Sequence, residues 1–143
     1  MLEANVIQYR GFHNMEENGR IVGFQICVRS DYYRGIWLSQ LRPGKVVVDG
    51  VTYPKEQVHW EINHREYTVE ELAEASDAFW RITDVAALKI YQEGGLAQGF
   101  HDVSVRFAAS CSYMPPFLDQ FDENGDSCSF HGGTYTREHM VIV

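Results

Sequence analysis

The histidines and carboxylates are the residues most able to do chemistry in this sequence, because they supply most general bases and metal ligands. His59, Glu61 and Asn63 alternate with apolar residues along one predicted strand and therefore project from the same face. Such a row could hold a metal ion in a cupin-like metalloenzyme. However, the six histidines form neither His-x-His nor His-Glu-x-x-His, and the cupin double motif is missing. We expect a solvated sheet face there and no metal ligand in this chain.

Two further patterns suggest chemistry but lack the residues that it requires. The acidic stretch Asp122–Asp126 resembles a calcium loop, yet it lacks the alternating ligand spacing and the distal bidentate glutamate. We expect an acidic turn. No Gly-x-Ser-x-Gly elbow occurs, and Cys111 lies in a strand pattern on the same side as predicted core residues. The sequence therefore predicts no catalytic residue and no self-sufficient enzyme.

Aromatic and cationic side chains are concentrated in a short stretch between two predicted strands. Tyr32, Tyr33, Arg34 and Trp37 lie there, and Tyr, Trp and Arg are the residue types that protein interfaces enrich. We predict that these four residues form a partner interface. Two alternatives remain open. Trp37 and Leu38 could simply anchor a strand to the core, or the three aromatic rings could stack on sugars in a stand-alone carbohydrate-binding sandwich.

The segment Ser112–Arg137 differs from the rest of the chain because it has no evident period. It combines the pair Pro115-Pro116, four acidic residues and the pair Gly132-Gly133. Segments of this length without a period are usually functional or disordered. Its aromatic side chains favour a functional loop that offers flat surfaces to a substrate, over a disordered acidic loop. The predicted substrate-rim residues are Tyr113, Phe117, Phe121, Phe130 and Tyr135.

Length and composition restrict the class of protein. A chain of 143 residues with 45% hydrophobic residues, 8 Phe, 8 Tyr and 3 Trp is expected to form one globular domain over residues 1–143. Its net charge of −8 repels phosphate backbones and anionic membrane surfaces, so we expect neither nucleic acid nor a membrane as partner. We expect no signal peptide, and no apolar run approaches the ~20 residues of a membrane span. Three widely spaced cysteines without Cys-x-x-Cys fit a reduced, cytoplasmic protein.

A hydrophobic period of two dominates the sequence and predicts strands with one buried face. The strongest predicted strands are Ile21–Arg29, Val58–Asn63 and His101–Cys111. The weaker ones are Val6–Phe12, Ile36–Leu41, Lys45–Asp49, Phe79–Ile82, Ala87–Tyr91 and His139–Val143. The predicted core residues are Phe24, Ile26, Val28, Trp60, Val103, Val105 and Phe107.

Local turn and capping signals complete the fold prediction. Asn18-Gly19 and Asp49-Gly50 are hairpin dipeptides, since both residue types tolerate positive φ. Thr68 and Glu71 have the spacing of a capping box, which predicts one short helix ending near Ser76-Asp77. Many short strands, one helix and no βαβ rhythm predict an all-β fold, an antiparallel β-sandwich with one short helix.

Several short sequence blocks stand in a distinctive order along the chain: Tyr9-Arg10-Gly11-Phe12, Gly23-Phe24-Gln25, Tyr32-Tyr33-Arg34-Gly35, Val48-Asp49-Gly50, Tyr67-Thr68, Trp80 and Gly94-Gly95-Leu96-x-x-Gly99-x-His101-x-Val103. Each block alone is unspecific. Taken in this order and spacing, they resemble the small β subunit of bacterial C-glycoside deglycosidases. The resemblance extends over Asn5–Met114 and is weakest over Ser112–Arg137.

The resemblance implies a partnership with a larger α subunit. That subunit is similar to sugar isomerase/epimerase (TIM) barrels and binds a divalent metal, usually manganese. The complex, a carbon–carbon lyase, cleaves the bond between a 3-oxo sugar and an aromatic, flavonoid-like aglycone. The β subunit is a sandwich that completes and stabilises the assembly, which can be a heteromer of higher order. No catalytic residue of the family maps onto this chain, so the resemblance implies no cofactor here and an isolated chain without activity.

Overall fold

The computed structural model describes residues 2–31, 34–109 and 131–143, and for His131 and Gly132 only the backbone. These residues form eleven strands and one α-helix. The strands are β1 His13–Glu17, β2 Arg20–Arg29, β3 Ile36–Trp37, β4 Leu41–Val48, β5 Val51–Tyr53, β6 Val58–Ile62, β7 Arg65–Tyr67, β8 Phe79–Trp80, β9 Val85–Tyr91, β10 Gly99–Ala109 and β11 His131–Ile142, and the helix is α1 Val69–Glu74. None of the helices in the described ranges has the length and apolar character needed to cross a membrane.

The strands form two antiparallel sheets and a small separate ribbon. One sheet has the order β1-β2-β9-β6-β7, the other has the order β11-β10-β4-β5, and β3 pairs with β8. The inner faces of the two sheets meet through aromatic rings. Phe24 of β2 contacts Tyr53 of β5 edge-on at 5.4 Å between ring centroids, and Trp60 of β6 contacts Phe107 of β10 at 5.6 Å. The predicted antiparallel β-sandwich with one short helix is confirmed.

The predicted core residues are all buried, because the period of two places each set on one side of its strand. Their exposed fractions lie between 0% and 2% for Phe24, Ile26, Val28, Trp60, Val103, Val105 and Phe107. Burial of this kind is the main favourable contribution to folding.

Hairpin turns follow the dipeptide signals, and the structure adds one more turn. Asn18-Gly19 and Asp49-Gly50 have positive φ at both residues, as a type I′ turn requires. Asn63 and His64, with φ of 54° and 66°, form the same kind of turn between β6 and β7. The prediction that Asn63 continues the row of His59 is therefore wrong, because the strand ends one residue earlier.

The predicted capping box is present and starts α1. The backbone N–H of Glu71 donates to Thr68 Oγ1 at 3.2 Å, and the N–H of Thr68 donates to Glu71 Oε1 at 3.1 Å. Two otherwise unpaired backbone donors are thereby satisfied. The helix ends at Glu74, two residues before the predicted Ser76.

Three of the weaker strand predictions need correction. Val6–Phe12 makes only an isolated bridge from Ile7 to Val28. Ile36–Leu41 divides into the two-residue β3, a 3₁₀ turn and the first residue of β4. Phe79–Ile82 shortens to Phe79–Trp80. A period of two over four to seven residues does not distinguish a strand from an extended segment, because only cross-strand pairing decides between them.

Candidate functional site

Trp37 of the predicted interface and the start of β11 lie at one end of the sandwich. In the second sheet Leu41 pairs with Ala109, and Ala109 pairs with His131. Trp37 precedes Leu41 by a single 3₁₀ turn and pairs with Phe79. We call this region the aromatic end and define it by these five residues.

At the aromatic end, Trp37 and Phe79 form an exposed aromatic pair. Their rings meet edge-on, with centroids 5.0 Å apart and planes at 68°. Trp37 is 47% exposed and Phe79 36%, whereas their strand neighbours Ile36 and Trp80 are buried. Leu38 is also buried, so the strand is anchored by Ile36 and Leu38 rather than by Trp37. The pair therefore supplies apolar contact area that the fold itself does not use.

Neighbouring backbone and side-chain contacts fix the position of this ribbon. The N–H of Leu38 donates to Ala78 O at 2.9 Å, and the indole N–H of Trp80 donates to Asp84 O at 2.9 Å. Gly35 permits the close approach of β8, because a Cβ at that position would overlap the ring of Phe79. The exposed pair is thus presented on a pre-organised support, which lowers the entropy cost of binding a partner.

The other predicted site residues are divided between the described residues and the rest of the chain. Arg34 is exposed and directly precedes Gly35. Tyr32 and Tyr33 of the predicted interface lie outside the described residues, as do Tyr113, Phe117, Phe121 and Phe130 of the predicted rim. Sequence reasoning missed Phe79, although the alternation of an aromatic residue with the buried Trp80 would have indicated its outward position.

Tyr135 lies in a strand and not in a loop. The predicted aperiodic segment ended at Arg137, but β11 begins at His131, so its last part is ordered in the sheet. The ring of Tyr135 is partly buried and packs against Phe107 at 5.4 Å, and its hydroxyl donates to Asp31 Oδ2. Burial, followed by this hydrogen bond and the negative charge of Asp31, raises the pKa of Tyr135 well above its usual value.

The polar row on β6 is part of an ion-pair network on the outer face of the first sheet. His59 Nδ1 lies 2.9 Å from Glu66 Oε2, and the hydroxyl of Tyr91 donates to Glu66 Oε1 at 2.7 Å. Lys89 forms an ion pair with Glu61 and lies 4.0 Å from Glu66. Lys89 thus places a cation beside both carboxylates. Across residues 2–31, 34–109 and 131–143 no three His, Cys, Asp or Glu side chains are grouped to hold a metal ion.

A shallow concavity of about 630 Å³ lies between the N-terminal segment and the outer face of β2 and β9. Cys27 lies in its lining with Tyr9 and Val85. Burial raises the pKa of the Cys27 thiol to about 11, so the thiolate that a nucleophile requires is scarcely populated at neutral pH. This cysteine is a buried packing residue.

Four of the remaining sequence blocks are joined by contacts that stabilise the fold. His101 Nδ1 lies 2.5 Å from Asp49 Oδ2, and its Nε2 lies 2.7 Å from Ala97 O. Phe12 contacts the His101 ring edge-on at 6.1 Å. The amide of Gln25 donates to Gly11 O at 3.0 Å. These contacts link blocks that lie far apart in the sequence and explain their presence without a catalytic role.

Comparison with known proteins gives the family. The model of the C-glycoside deglycosidase beta subunit family matches residues 2–113. This chain belongs to that family. The C-glycoside deglycosidase beta subunit of Eubacterium cellulosolvens is 45% identical over 99% of both chains. The beta subunit of Microbacterium trichothecenolyticum is 33% identical over 61% of this chain and 66% of its own length. A beta subunit of Arthrobacter globiformis is 31% identical over 43% of this chain and 47% of its own length. The resemblance identified in the sequence blocks is thereby confirmed.

Proposed function

We propose that this chain is the accessory small subunit of a heteromeric C-glycoside deglycosidase. The observation that carries this proposal is the 45% identity with the Eubacterium cellulosolvens beta subunit, which extends over 99% of both chains. A β subunit requires another kind of subunit, and we propose a larger, TIM-barrel-like chain for that role. The assembly acts on aromatic C-glycosides in the cytoplasm, where the buried free thiol of Cys27 stays reduced.

The proposed reaction breaks the carbon–carbon bond between a 3-oxo sugar and an aromatic, flavonoid-like aglycone. The 3-oxo group acidifies the C2–H, so a base can remove that proton. The electron pair then forms a double bond between C1 and C2, and the bond from C1 to the aglycone breaks as its ring carbon takes up a proton. A divalent metal held by the larger subunit, for which we expect manganese, would supply Lewis acidity that polarises the 3-oxo group. This chain supplies contact area and support to the assembly, and neither the metal ligands nor the base.

We place the contact with the larger subunit at the aromatic end. Trp37 and Phe79 are exposed there on a fixed ribbon, and Tyr32, Tyr33 and Arg34 shortly precede Trp37 in the sequence. Aromatic rings supply large contact areas, and an arginine can pair with carboxylates or carbonyls across an interface. An obligate interface of this kind buries about 2,000 Å² or more.

Reconstitution of the complex tests the proposed function. We expect the purified chain alone to show no turnover of a 3-oxo C-glycoside, and a mixture with the larger subunit to show turnover. Replacing both Trp37 and Phe79 by alanine should weaken assembly by about 1,000-fold, because hot-spot residues each contribute about 2 kcal/mol and two of them about 4 kcal/mol. Titration calorimetry gives the affinity, and aglycone release gives the activity.

Phe100→Ala is the matched control for the assembly measurement. Phe100 is 70% exposed and lies at the start of β10, at the other end of that strand from Ala109. Its removal should leave assembly unchanged. Turnover by the chain alone would refute the proposed accessory role. Sugar binding by the chain without any partner would instead support a carbohydrate-binding module.

We further propose that Tyr113, Phe117, Phe121 and Phe130 contribute to the rim of the larger subunit's active site. This is supported by the position of Ala109 and His131, which bound this part of the chain at the aromatic end. Replacing residues 114–130 by a Gly/Ser bridge should leave assembly intact and raise KM for bulky C-glycosides. Unchanged kinetics toward several C-glycosides would show that these residues only connect β10 to β11.

A further inference from the structure

Among the described residues, the strand β11 is paired along only one of its two edges. It lies at the end of its sheet and pairs with β10. The strand is long, from His131 to Ile142, whereas the edge strands β5 and β7 have three residues each. The edge strand β1 has a register shift between Met15 and Glu16. Short or bulged edge strands protect a sheet against pairing with another chain, and a long regular edge strand lacks that protection.

The hairpin between β4 and β5 determines the direction of the backbone groups in this sheet. Its two-residue turn, Asp49-Gly50, is flanked by the pair Val48 and Val51. The residues that flank such a turn are hydrogen-bonded to each other, so the backbone groups of Val48 face β5. Those of the next residue must face β10. The N–H of Asp49 indeed donates to Asp102 O at 3.0 Å.

The same alternation continues across the sheet to β11. The backbone groups of Val47 face β10, where Val47 pairs with Ser104, so those of Ser104 face β4. The backbone groups of Val105 therefore face β11, where Val105 pairs with Tyr135. It follows that the residues directly before and after Tyr135 direct their backbone N–H and C=O groups away from β10, to the free edge.

These two residues are Thr134 and Thr136, and both are exposed. Threonine is a β-branched residue that favours strands. The ladder with β10 shifts its register after Arg137, where His139 has a φ of 58°. A regular edge without proline or lysine thus extends from Gly133 to Arg137.

We propose that β11 pairs with β11 of a second copy of this chain, antiparallel and about a two-fold axis at Tyr135. In this register Thr134 lies opposite Thr136 of the second copy, and each of the two threonine pairs exchanges both of its N–H···O bonds. Arg137 lies opposite Gly133, so no like charges meet and the long side chain has room. The two four-stranded sheets then form one continuous sheet. The dimer goes beyond the proposed function and does not depend on it.

Sedimentation equilibrium of the full chain over a concentration series tests this pairing. At about 0.15 M salt, the repulsion between two copies that each carry a charge of −8 is screened. We expect the wild type to dimerise reversibly. Thr136→Pro should raise the dimer Kd about 30-fold, because two hydrogen bonds are lost per dimer and each contributes about a factor of five. The monomer tolerates proline at Thr136, since the N–H that it removes faces solvent.

Thr52→Pro is the matched control, because Thr52 lies at the other end of the same row across the sheet. Thr136 pairs with Ser104, Ser104 with Val47, and Val47 with Thr52. Thr52 is exposed, and by the same alternation its backbone groups face the free edge of β5. Thr52→Pro should leave the dimer Kd unchanged. Equal dimer Kd values for the two proline variants would overturn the inference.

An exchange of charge on the two exposed threonines tests the register without proline. Thr134→Glu combined with Thr136→Glu places carboxylates opposite each other across the axis and should prevent dimerisation. Thr134→Lys combined with Thr136→Glu places opposite charges there and should restore the dimer. Circular dichroism should show the same fold for both variants, because neither changes the ladder with β10. Equal dimer Kd values for the two double variants would contradict the proposed register.

Hydrogen exchange separates a second copy from the larger subunit as the occupant of this edge. If the chain dimerises through β11, protection of the Thr134 and Thr136 amides should rise with the concentration of the chain alone. Protection that appears only when the larger subunit is added would overturn the inference, because the edge would then pair with that subunit. A wild-type chain that stays monomeric throughout the concentration series would overturn it as well.

Discussion

Replacing Phe107 by alanine should lower the free energy of unfolding by about 3–5 kcal/mol, the usual cost of deleting a large buried aromatic side chain. Phe107 is 2% exposed and contacts the rings of Trp60, Trp80 and Tyr135. Its removal loses the transfer free energy of the ring and leaves a cavity where both sheets and the β3–β8 ribbon meet. Urea denaturation followed by tryptophan fluorescence would measure the change.

Phe100→Ala is the internal control, since Phe100 lies in the same strand and is 70% exposed. A surface substitution of this kind should change the free energy of unfolding by no more than about 0.5 kcal/mol. If Phe107→Ala lowered the free energy of unfolding no more than Phe100→Ala, the conclusion that Phe107 packs between the two sheets would be wrong. The comparison holds residue type and strand constant, so burial is the variable that differs.

The parts of the fold that the sequence predicts are those fixed by local rules. Alternation places Phe24, Ile26 and Val28 on one face of β2, whatever the partner strand. The Asn18-Gly19 turn follows from the tolerance of both residues for positive φ. The capping box at Thr68 involves residues three apart. Each feature depends on a few neighbouring residues, so no knowledge of distant contacts is required.

The features that escaped prediction depend on contacts distant in sequence or on a single backbone angle. Val6–Phe12 alternates like a strand, but Gly11 has φ of +84°, and a Cβ there would overlap Cys27 Sγ. The pairing of Phe79 with Trp37 joins residues that lie far apart in the chain. The contact of Tyr135 with Asp31 spans 104 residues. No periodicity in the sequence carries information of this kind.

In the candidate site, too, some features follow from the local sequence and others depend on contacts that only the structure gives. Residue types alone indicated an interface at Arg34 and Trp37, because those types are enriched where proteins bind one another. The separation of exposed from supporting residues required the structure: Trp37 is available to a partner, while Tyr135 is engaged with Phe107 and Asp31. Burial thus separates a residue that a partner could reach from a residue that supports the fold.

Stability should fall as the pH rises above 6.5, because His101 is held as an imidazolium. Both ring nitrogens face acceptors, Asp49 Oδ2 at 2.5 Å and Ala97 O at 2.7 Å, so each must carry a proton to donate. Burial opposes the charge, but the Ala97 hydrogen bond and Asp49 outweigh it and raise the His101 pKa above 6.5, with a further contribution from Asp102. The bound proton therefore stabilises the folded state fully below pH 6.5, and this contribution is lost as the pH rises through the raised pKa.

The contribution of Asp49 to stability has the opposite dependence on pH, and it is lost at acidic pH. Hydrogen bonds from the Asp102 backbone N–H and from His101 lower the Asp49 pKa below 3.8. Its contribution is present above pH 3.8 and is lost as the pH falls through the lowered value. The pair should therefore contribute most between these two limits, from about pH 4 to about pH 6.5.

Denaturation of wild type and His101→Gln over a range from about pH 5 to about pH 9 would test this dependence. Above about pH 6.5 the wild type should lose up to about 1.4 kcal/mol per pH unit from this one proton, until the folded pKa is passed. His101→Gln should be less stable at about pH 6 and should lack that slope, because glutamine carries no titrating proton. His13→Gln is the control for the loss of a histidine, since His13 is exposed in β1, and it should change the free energy of unfolding by no more than about 0.5 kcal/mol. Equal slopes for His101→Gln and the wild type would mean that the Asp49–His101 pair is not charged. The turn at Asp49-Gly50 would then be held to β10 by neutral hydrogen bonds alone.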